Sequence, residues 1–168
     1  MQETAREYLR RIEGYLGRDD PFDVLRSTPS ALSRIVKGAP SRRLSERPEP
    51  EKWSPVEILA HLADVEIVWS YRIRKILEEP GGPIAPMEQD RWVAECRYAK
   101  ARPAEALEAF AALRRWNLAL FSRIGPRGLR RAGEHGWFGR LTIGKIARML
   151  AGHDRNHLRR LRELLRRR

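Results

Sequence analysis

Two histidines near the C-terminus, His153 and His157, have the spacing best suited to chemistry. They lie four residues apart in a segment with helical periodicity. Their side chains are therefore on adjacent turns of one helix face, with Cβ atoms about 5–6 Å apart. At that separation both imidazoles can reach one metal ion. A third protein ligand must then come from another part of the chain.

Apolar residues in the same segment share the face of these two histidines. They follow the 3.6-residue period of a helix and are Ile146, Met149, Leu150, Leu161 and Leu164. The pattern predicts a helix over residues 142–165, with Thr142 as its N-cap residue. Since the histidines point where the leucines point, we expect both imidazoles to face the core.

His61 is the candidate for the third ligand. It lies in a predicted helix that begins at Ser54-Pro55-Val56-Glu57, a capping-box sequence with proline at the first helical position. The inward positions of this helix are Ile58, His61, Leu62, Val65, Val68, Trp69 and Ile76. Arg72, Arg74 and Lys75 mostly fall outside that stripe. A histidine on an apolar face is commonly a core residue with one hydrogen bond, so the spacing alone leaves core and ligand interpretations open.

Helical periodicity extends over most of the chain and indicates an all-α protein. A short helix over residues 3–16 precedes four long ones, over residues 20–37, 55–78, 103–124 and 142–165. No segment alternates as a half-buried strand does. We therefore predict one domain, residues 1–168, built as a four-helix bundle with an added short N-terminal helix.

Proline and glycine mark the breaks between these helices. Pro29 should kink or split the second helix, because it removes a backbone donor and crowds the preceding turn. Gly125 and Pro126 should end the helix that begins at residue 103. Residues 39–52 are predicted to be an irregular connector, and residues 133–139 a glycine-rich loop.

The connection between the second and third helices of the bundle is unusually long. About 20 residues separate the segments 55–78 and 103–124. They leave room for a helical turn near Met87–Tyr98. Because such a connection can run the full length of a bundle, the two flanking helices are able to lie parallel.

The net charge of +12 is concentrated in the last third of the chain. Residues 123–168 contain 14 Lys and Arg against three acids, whereas residues 1–122 contain 20 against 19. Much of the excess is the terminal run Arg159, Arg160, Arg162, Arg166, Arg167 and Arg168. Cations are favoured at a helix C-terminus, so a solvated helix end is the simpler interpretation. A patch for phosphate-bearing ligands, nucleic acid or a membrane surface is the alternative.

Other features of the composition exclude several classes of protein. The N-terminal segment is charged, without the apolar stretch of a signal peptide, and no run approaches the roughly 18 apolar residues of a membrane span. We therefore expect a cytoplasmic protein without membrane partners. A lone Cys96 excludes an internal disulfide framework and a multi-cysteine zinc ribbon. The sequence leaves the oligomeric state open and is compatible with a homodimer.

The two histidine motifs resemble those of a known family. The segments are Trp53-Ser54-Pro55-Val56-Glu57-Ile58-Leu59-Ala60-His61-Leu62-Ala63-Asp64 and Ala151-Gly152-His153-Asp154-Arg155-Asn156-His157-Leu158. They are similar to motifs of the DinB-like (DinB/YfiT) superfamily, and the resemblance covers nearly the whole chain. It implies a bundle in up-down-down-up order, with the long crossover between helices two and three.

The resemblance also implies a metal site and a range of activities. Family histidines that match His61, His153 and His157 bind one divalent ion, which is zinc, nickel or iron in different members. Activities in the superfamily include S-transferases and a maleylpyruvate isomerase that use low-molecular-weight thiols, besides proteins described as hydrolases. Imidazole ligands suit zinc, copper, iron and nickel alike, so they leave the metal open.

Four more polar side chains are candidates for roles near the site. Asp64 and Glu57 lie one turn after and one turn before His61, where either could orient its ring. A surface or capping role is the alternative for both. His135 and Arg155 are candidate substrate contacts, the first in the loop before the last helix and the second beside the histidine pair.

Two classes of function are consistent with these features. The first is a metal-dependent enzyme acting on a small molecule through an open coordination position, with thiol transfer considered first and hydrolysis second. The second is a non-catalytic basic module that binds nucleic acid or another anionic partner, with a structural metal or core histidines. Binding that weakens steeply with salt would favour the second.

Overall fold

The computed structural model describes residues 3–166, which form seven helices and three short strands. In chain order these are α1 (Ala5–Leu16), α2 (Pro21–Val36), α3 (Ser41–Ser45), α4 (Pro55–Glu78), β1 (Pro83–Ile84), α5 (Gln89–Glu95), α6 (Pro103–Leu129), β2 (Ala132–His135), β3 (Gly139–Thr142) and α7 (Ile143–Arg166). A 3₁₀ turn, Tyr98–Lys100, lies between α5 and α6. Arg167 and Arg168 of the predicted basic run lie outside the described residues.

Side-chain hydrogen bonds cap the starts of α1, α2 and α4. Ser54 N donates to the Glu57 carboxylate at 2.8 Å, and Glu57 N donates to Ser54 Oγ at 3.4 Å, which is the predicted capping box of α4. Thr4 and Glu7 form the same box at α1. Asp20 accepts hydrogen bonds from the first N–H groups of α2. These polar contacts satisfy donors that a helix start leaves unpaired.

Two apolar clusters show the direction of each long helix. One contains Val24, Ile73, Phe121 and Ile146. The other contains Leu32, Ile58, Phe110 and Leu161. α2 and α7 run from the first cluster to the second, whereas α4 and α6 both run from the second to the first. The helices therefore form a four-helix bundle in up-down-down-up order, as predicted, with residues 79–102 as the crossover.

A small sheet at one end of the bundle corrects one detail of the prediction. Its strand order is β1-β2-β3, with β1 parallel to β2 and β2 antiparallel to β3. The sequence pattern predicts no strands and a loop over residues 133–139, whereas residues 133–135 and 139 belong to β2 and β3. Strands of two to four residues are too short to show an alternating pattern. Gly133 permits the close pairing, because a Cβ there would lie 3.0 Å from Gly82 O.

The helix breaks differ from the predicted ones in their details. α2 is continuous across Pro29, so the proline does not split it. The predicted end near residue 124 is a real break, because Gly125 has φ 57° and ψ −167°, but one more helical turn follows it within α6. Residues 39–52 are not wholly irregular, since they contain α3. None of these differences changes the order of the long helices.

A buried ion cluster joins the four long helices. Arg114 of α6 donates to Glu66 of α4 at 2.8 Å and to Asp154 of α7 at 2.6 Å. These three side chains are at most 2% exposed. Arg114 Nη1 also donates to Leu25 O of α2 at 3.1 Å. Leu25 is four residues before Pro29, so its carbonyl is the one that the proline leaves without an intrahelical donor.

No helix within residues 3–166 is long and apolar enough to cross a membrane.

The ion cluster makes a prediction for stability. Arg114→Met should reduce the free energy of unfolding by about 3–5 kcal/mol, because it leaves Glu66 and Asp154 buried without their cation. Chemical denaturation of the metal-free protein measures the change. The control Arg115→Met, at the exposed neighbouring position, should stay within about 0.5 kcal/mol of wild type. Equal stability of both variants would show that the cluster does not hold the helices together.

Candidate metal centre

Three imidazoles from two helices meet inside the bundle. His61 projects from α4, and His153 and His157 project from α7. Nε2 of His153 lies 3.1 Å from Nε2 of His61 and 3.1 Å from Nε2 of His157. One nitrogen of each ring lies within 4.8 Å of the other two. The structure thus brings together the three side chains that the sequence analysis proposed as ligands.

Burial keeps these imidazoles neutral at pH 7. It lowers the pKa of His153 to about 4, helped by the positive charges of Arg114 and Arg11. Burial is also the main reason that the pKa values of His61 and His157 lie well below 6.5, with a further contribution from the neighbouring rings. A neutral imidazole has a lone pair available, so all three rings are in the protonation state that metal ligation requires.

The ring geometry fits a single ion better than a set of hydrogen bonds. Around a tetrahedral ion with metal–nitrogen distances of 2.0–2.1 Å, ligand nitrogens are about 3.3 Å apart, close to the 3.1 Å contacts that His153 makes. A neutral imidazole nitrogen either donates or accepts one hydrogen bond. The Nε2 of His153 therefore cannot satisfy both neighbours by hydrogen bonding. Three lone pairs directed at one cation satisfy all three nitrogens at once.

α1 closes one side of the centre through a close contact with α7. A Cβ on Gly152 would lie only 2.2 Å from Ile12 O, so the absence of a side chain at this position lets the two helices approach. The contact is one residue before His153. It places Tyr8 and Arg11 of α1 beside the cavities that reach the histidines.

Two cavities open onto the three histidines. The smaller, of about 640 Å³, is bordered by all three rings and by Trp53, whose ring centroid is 4.8 Å from that of His61. The larger, of about 910 Å³, is bordered by His61 and His153 and also by Trp69 and His135. Both have the size of small-molecule sites. The three site histidines thus border cavities of a size that admits a small molecule, although His61 and His157 are buried.

Comparison with known proteins identifies the family of this chain. The family model of the DinB superfamily matches residues 25–161, a span that contains all three histidines. The chain belongs to the DinB superfamily. Among solved structures, this DinB-superfamily protein is similar to YfiT from Bacillus subtilis, described as a probable metal-dependent hydrolase with an unusual four-helix bundle topology. The TM-score is 0.81 at 21% identity, over 87% of this chain and 84% of YfiT. No curated protein matches the chain.

Neither carboxylate expected to orient His61 hydrogen-bonds its ring in this DinB-superfamily protein. Glu57 is held in the capping box of α4 and accepts a hydrogen bond from Arg47 Nε at 2.9 Å. Asp64 accepts one from the Tyr98 hydroxyl. The Nδ1 atoms of the three site histidines have no hydrogen-bond partner among the described residues. Helical side chains lean toward the N-terminus of their helix, which directs Glu57 to the cap rather than to the ring one turn later.

The two expected substrate contacts lie in different surroundings. His135, at the end of β2, is on the wall of the larger cavity, where its Nδ1 accepts from Trp137 N at 3.2 Å. Arg155 forms an ion pair with Asp19 and borders neither cavity. Arg155 is two residues from each of His153 and His157. Since each helix residue is rotated by about 100° from the one before it, the Arg155 side chain points to the opposite side of α7. Arg155 therefore does not line the cavities beside the three histidines, and its role as a substrate contact stays a prediction.

The described part of the basic run also contributes to the surroundings of the site. Arg159 Nη2 donates to the Tyr15 hydroxyl at 2.9 Å, which attaches α7 to α1. Arg160 borders the smaller cavity. Arg162 and Arg166 are exposed. Binding of nucleic acid by this run stays a prediction.

Two contributions to the site were missed from the sequence. α1 was expected only as an added helix, because its contact with α7 joins residues far apart in the chain. Arg72 was placed outside the inward stripe of α4 but is only 5% exposed. Its position could have been found, since it is seven residues after Val65 and three after Trp69 and so shares their helix face. Its positive charge argued against a core position.

The neutral, buried histidines predict how stability depends on pH. Each has a lower pKa in the folded protein than the ordinary value of about 6.5, so the unfolded chain binds more protons between the two values. The stability of the metal-free protein should be fully present above pH 6.5 and decrease toward pH 4, by about 1 kcal/mol or more per pH unit. Denaturation between pH 5 and 7.5 measures the slope. His157→Leu should make it shallower, and a flat wild-type profile would contradict burial of neutral imidazoles.

The contact between α1 and α7 gives a second prediction. Gly152→Ala should destabilise the protein by about 1–3 kcal/mol, because its Cβ would overlap with the backbone of Ile12. Gly144→Ala is a matched control in the same helix, where the nearest atom outside the local backbone is 3.4 Å from the added Cβ. Thermal unfolding should separate the two variants. An unchanged melting temperature for Gly152→Ala would mean that α1 does not pack this closely.

Proposed function

We propose that this protein is a metal-dependent enzyme acting on a small molecule, with His61, His153 and His157 as the ligands of one divalent ion. The observation that carries the proposal is the convergence of three neutral imidazole nitrogens, with contacts of 3.1 Å, at the meeting point of two cavities. Three protein ligands leave a coordination position for water or substrate, which is typical of catalytic sites. Membership of the DinB superfamily supports the same ligand set.

The surrounding residues have separate tasks in this proposal. His61 on α4 and the pair on α7 hold the ion between two helices, whose relative position the Arg114 cluster fixes. Trp53 and α1 limit the access of bulk water to the rings. An ion bound there would lower the pKa of a coordinated water or thiol and would polarise a substrate carbonyl.

Thiol transfer is our first candidate reaction. No carboxylate among the described residues hydrogen-bonds any of the three imidazoles, and a thiol nucleophile does not require a general base beside them. A thiol that coordinates a metal loses its proton without such a base. Thiol-dependent transferases are also among the activities that the family resemblance implies. The cosubstrate would be a low-molecular-weight thiol.

Hydrolysis is the second candidate reaction. Similarity to YfiT, described as a probable metal-dependent hydrolase, favours it. The same open coordination position would serve, with water in place of the thiol. The two reactions therefore share the ligands and differ in the nucleophile, so one panel of substrates can separate them.

The test uses full-length protein loaded with zinc, nickel or iron. Glutathione, bacillithiol, mycothiol and coenzyme A are each supplied with a panel of electrophiles, beside ester and amide substrates without a thiol. Loss of an essential ligand in His61→Ala should reduce the rate by about 100-fold or more. Tyr71→Ala, at an exposed position on the same helix, should keep the wild-type rate.

Each outcome of this assay has a defined meaning. Product formation only with a thiol would support transfer, and turnover of an ester or amide without a thiol would support hydrolysis. Activity that persists in His61→Ala at the wild-type rate would exclude the three-histidine mechanism. Inactivity of wild type across the whole panel would count against both candidate reactions.

A further inference from the structure

Arg72 is a buried cation on the wall of the larger cavity. It is 5% exposed. Its Nε and Nη2 both donate to one backbone oxygen, Ala85 O, at 2.9 and 2.6 Å. The guanidinium carbon lies 4.6 Å from the centroid of the Trp69 ring. The side chain is therefore held in one position by a loop carbonyl and an aromatic face.

This guanidinium has no counter-ion among the described residues. None of their carboxylates comes within 4.0 Å of it, whereas the other buried arginine, Arg114, has two. Burial lowers the pKa of Arg72 only to about 10, so the group is charged at pH 7. A buried charge without a partner is destabilising. Packing alone would have favoured an apolar residue at this position.

The unused donors of Arg72 have the geometry of an anion site. A guanidinium has five N–H donors, and the Ala85 carbonyl takes two of them. Three N–H groups remain, two on Nη1 and one on Nη2, and one from each of these nitrogens forms a parallel pair that matches the two oxygens of a carboxylate. Arg11, the other basic residue on this cavity, is already paired with Glu3 at 2.8 Å. One free positive charge balances a monoanion better than a phosphate.

We propose that Arg72 binds the carboxylate of a small organic acid whose other end reaches the three-histidine centre. The proposal rests on the proposed function, because it assigns the substrate class of the same site. His61, His153 and Arg72 all border the 910 Å³ cavity, so one molecule can span from the histidines to the guanidinium. Val65, Trp69 and Phe138 supply apolar wall between them. Glu88 and Glu134 border the same cavity but are exposed, so solvent screens their charges.

The experiment compares acids with their uncharged amides. Full-length protein is loaded with cobalt(II), and thiol coordination is followed by the thiolate-to-cobalt absorption band. The probes are 3-mercaptopropanoic and 4-mercaptobutanoic acid, each beside its amide. In wild type, at least one acid should bind about tenfold or more tightly than its amide. That ratio should fall to about one in Arg72→Gln, while the affinity for the amide stays unchanged.

Arg74→Gln is the matched control. Arg74 is two residues further along α4, bonds Ser70 O at 2.9 Å and borders neither cavity, so its loss should leave the acid preference intact. Circular dichroism and the thiol-free cobalt spectrum confirm that each variant is folded. Equal binding of acid and amide in wild type, or a preference that survives Arg72→Gln, would overturn the proposal.

The two proposals can fail separately in this design. If the amide produces the absorption band but the acid shows no preference, the metal centre stands and the role of Arg72 is wrong. If cobalt does not bind, calorimetric titration of the same acids and amides into metal-free protein shows whether Arg72 forms an anion site. An Arg72-dependent preference for the acid would then support the anion site against the proposed function, and its absence would overturn both.

Discussion

The buried guanidinium of Arg114 joins all four long helices near the middle of the bundle. It bonds Glu66 of α4, Asp154 of α7 and the Leu25 carbonyl of α2, at 2.6–3.1 Å. Buried ion pairs contribute little net stability compared with apolar packing, but an arrangement that leaves one partner unpaired is strongly disfavoured. We infer that the cluster selects one register and one rotation of each helix. Pro29 takes part in this selection because it frees the Leu25 carbonyl.

The convergence of the three histidines depends on the rotation that the ion cluster imposes. Asp154 lies between His153 and His157 of α7, and consecutive helix residues point about 100° apart. When Asp154 faces Arg114, His153 and His157 face α4. On α4, His61 lies four residues before Val65 and five before Glu66, the other carboxylate of the ion cluster. α1 then packs against Gly152 and encloses the rings. The helix-to-helix contacts thus place the ligands, and no loop is required to position them.

Much of the fold and the convergence of the three histidines could be predicted from the sequence because their signals are local. Caps and 3.6-residue periodicity defined the long helices, and i, i+4 spacing identified the histidine pair. Contacts between distant segments were less accessible. Arg114 and Asn117 lie on the inward face of α6, although both are polar, and their hydrogen bonds to Glu66 and Asp154 explain their burial. The two carboxylates expected beside His61 have partners, Arg47 and Tyr98, that no spacing pattern could identify.

Elemental analysis of protein purified without an affinity tag tests the three-histidine centre most directly. Wild-type protein should contain one divalent ion per chain, or take up one zinc or nickel ion after dialysis against it. His153→Ala should remain folded and contain far less, because two imidazoles bind a metal much more weakly than three. A folded wild-type protein that contains no metal and takes up neither ion would contradict the centre and would leave the three histidines as core residues.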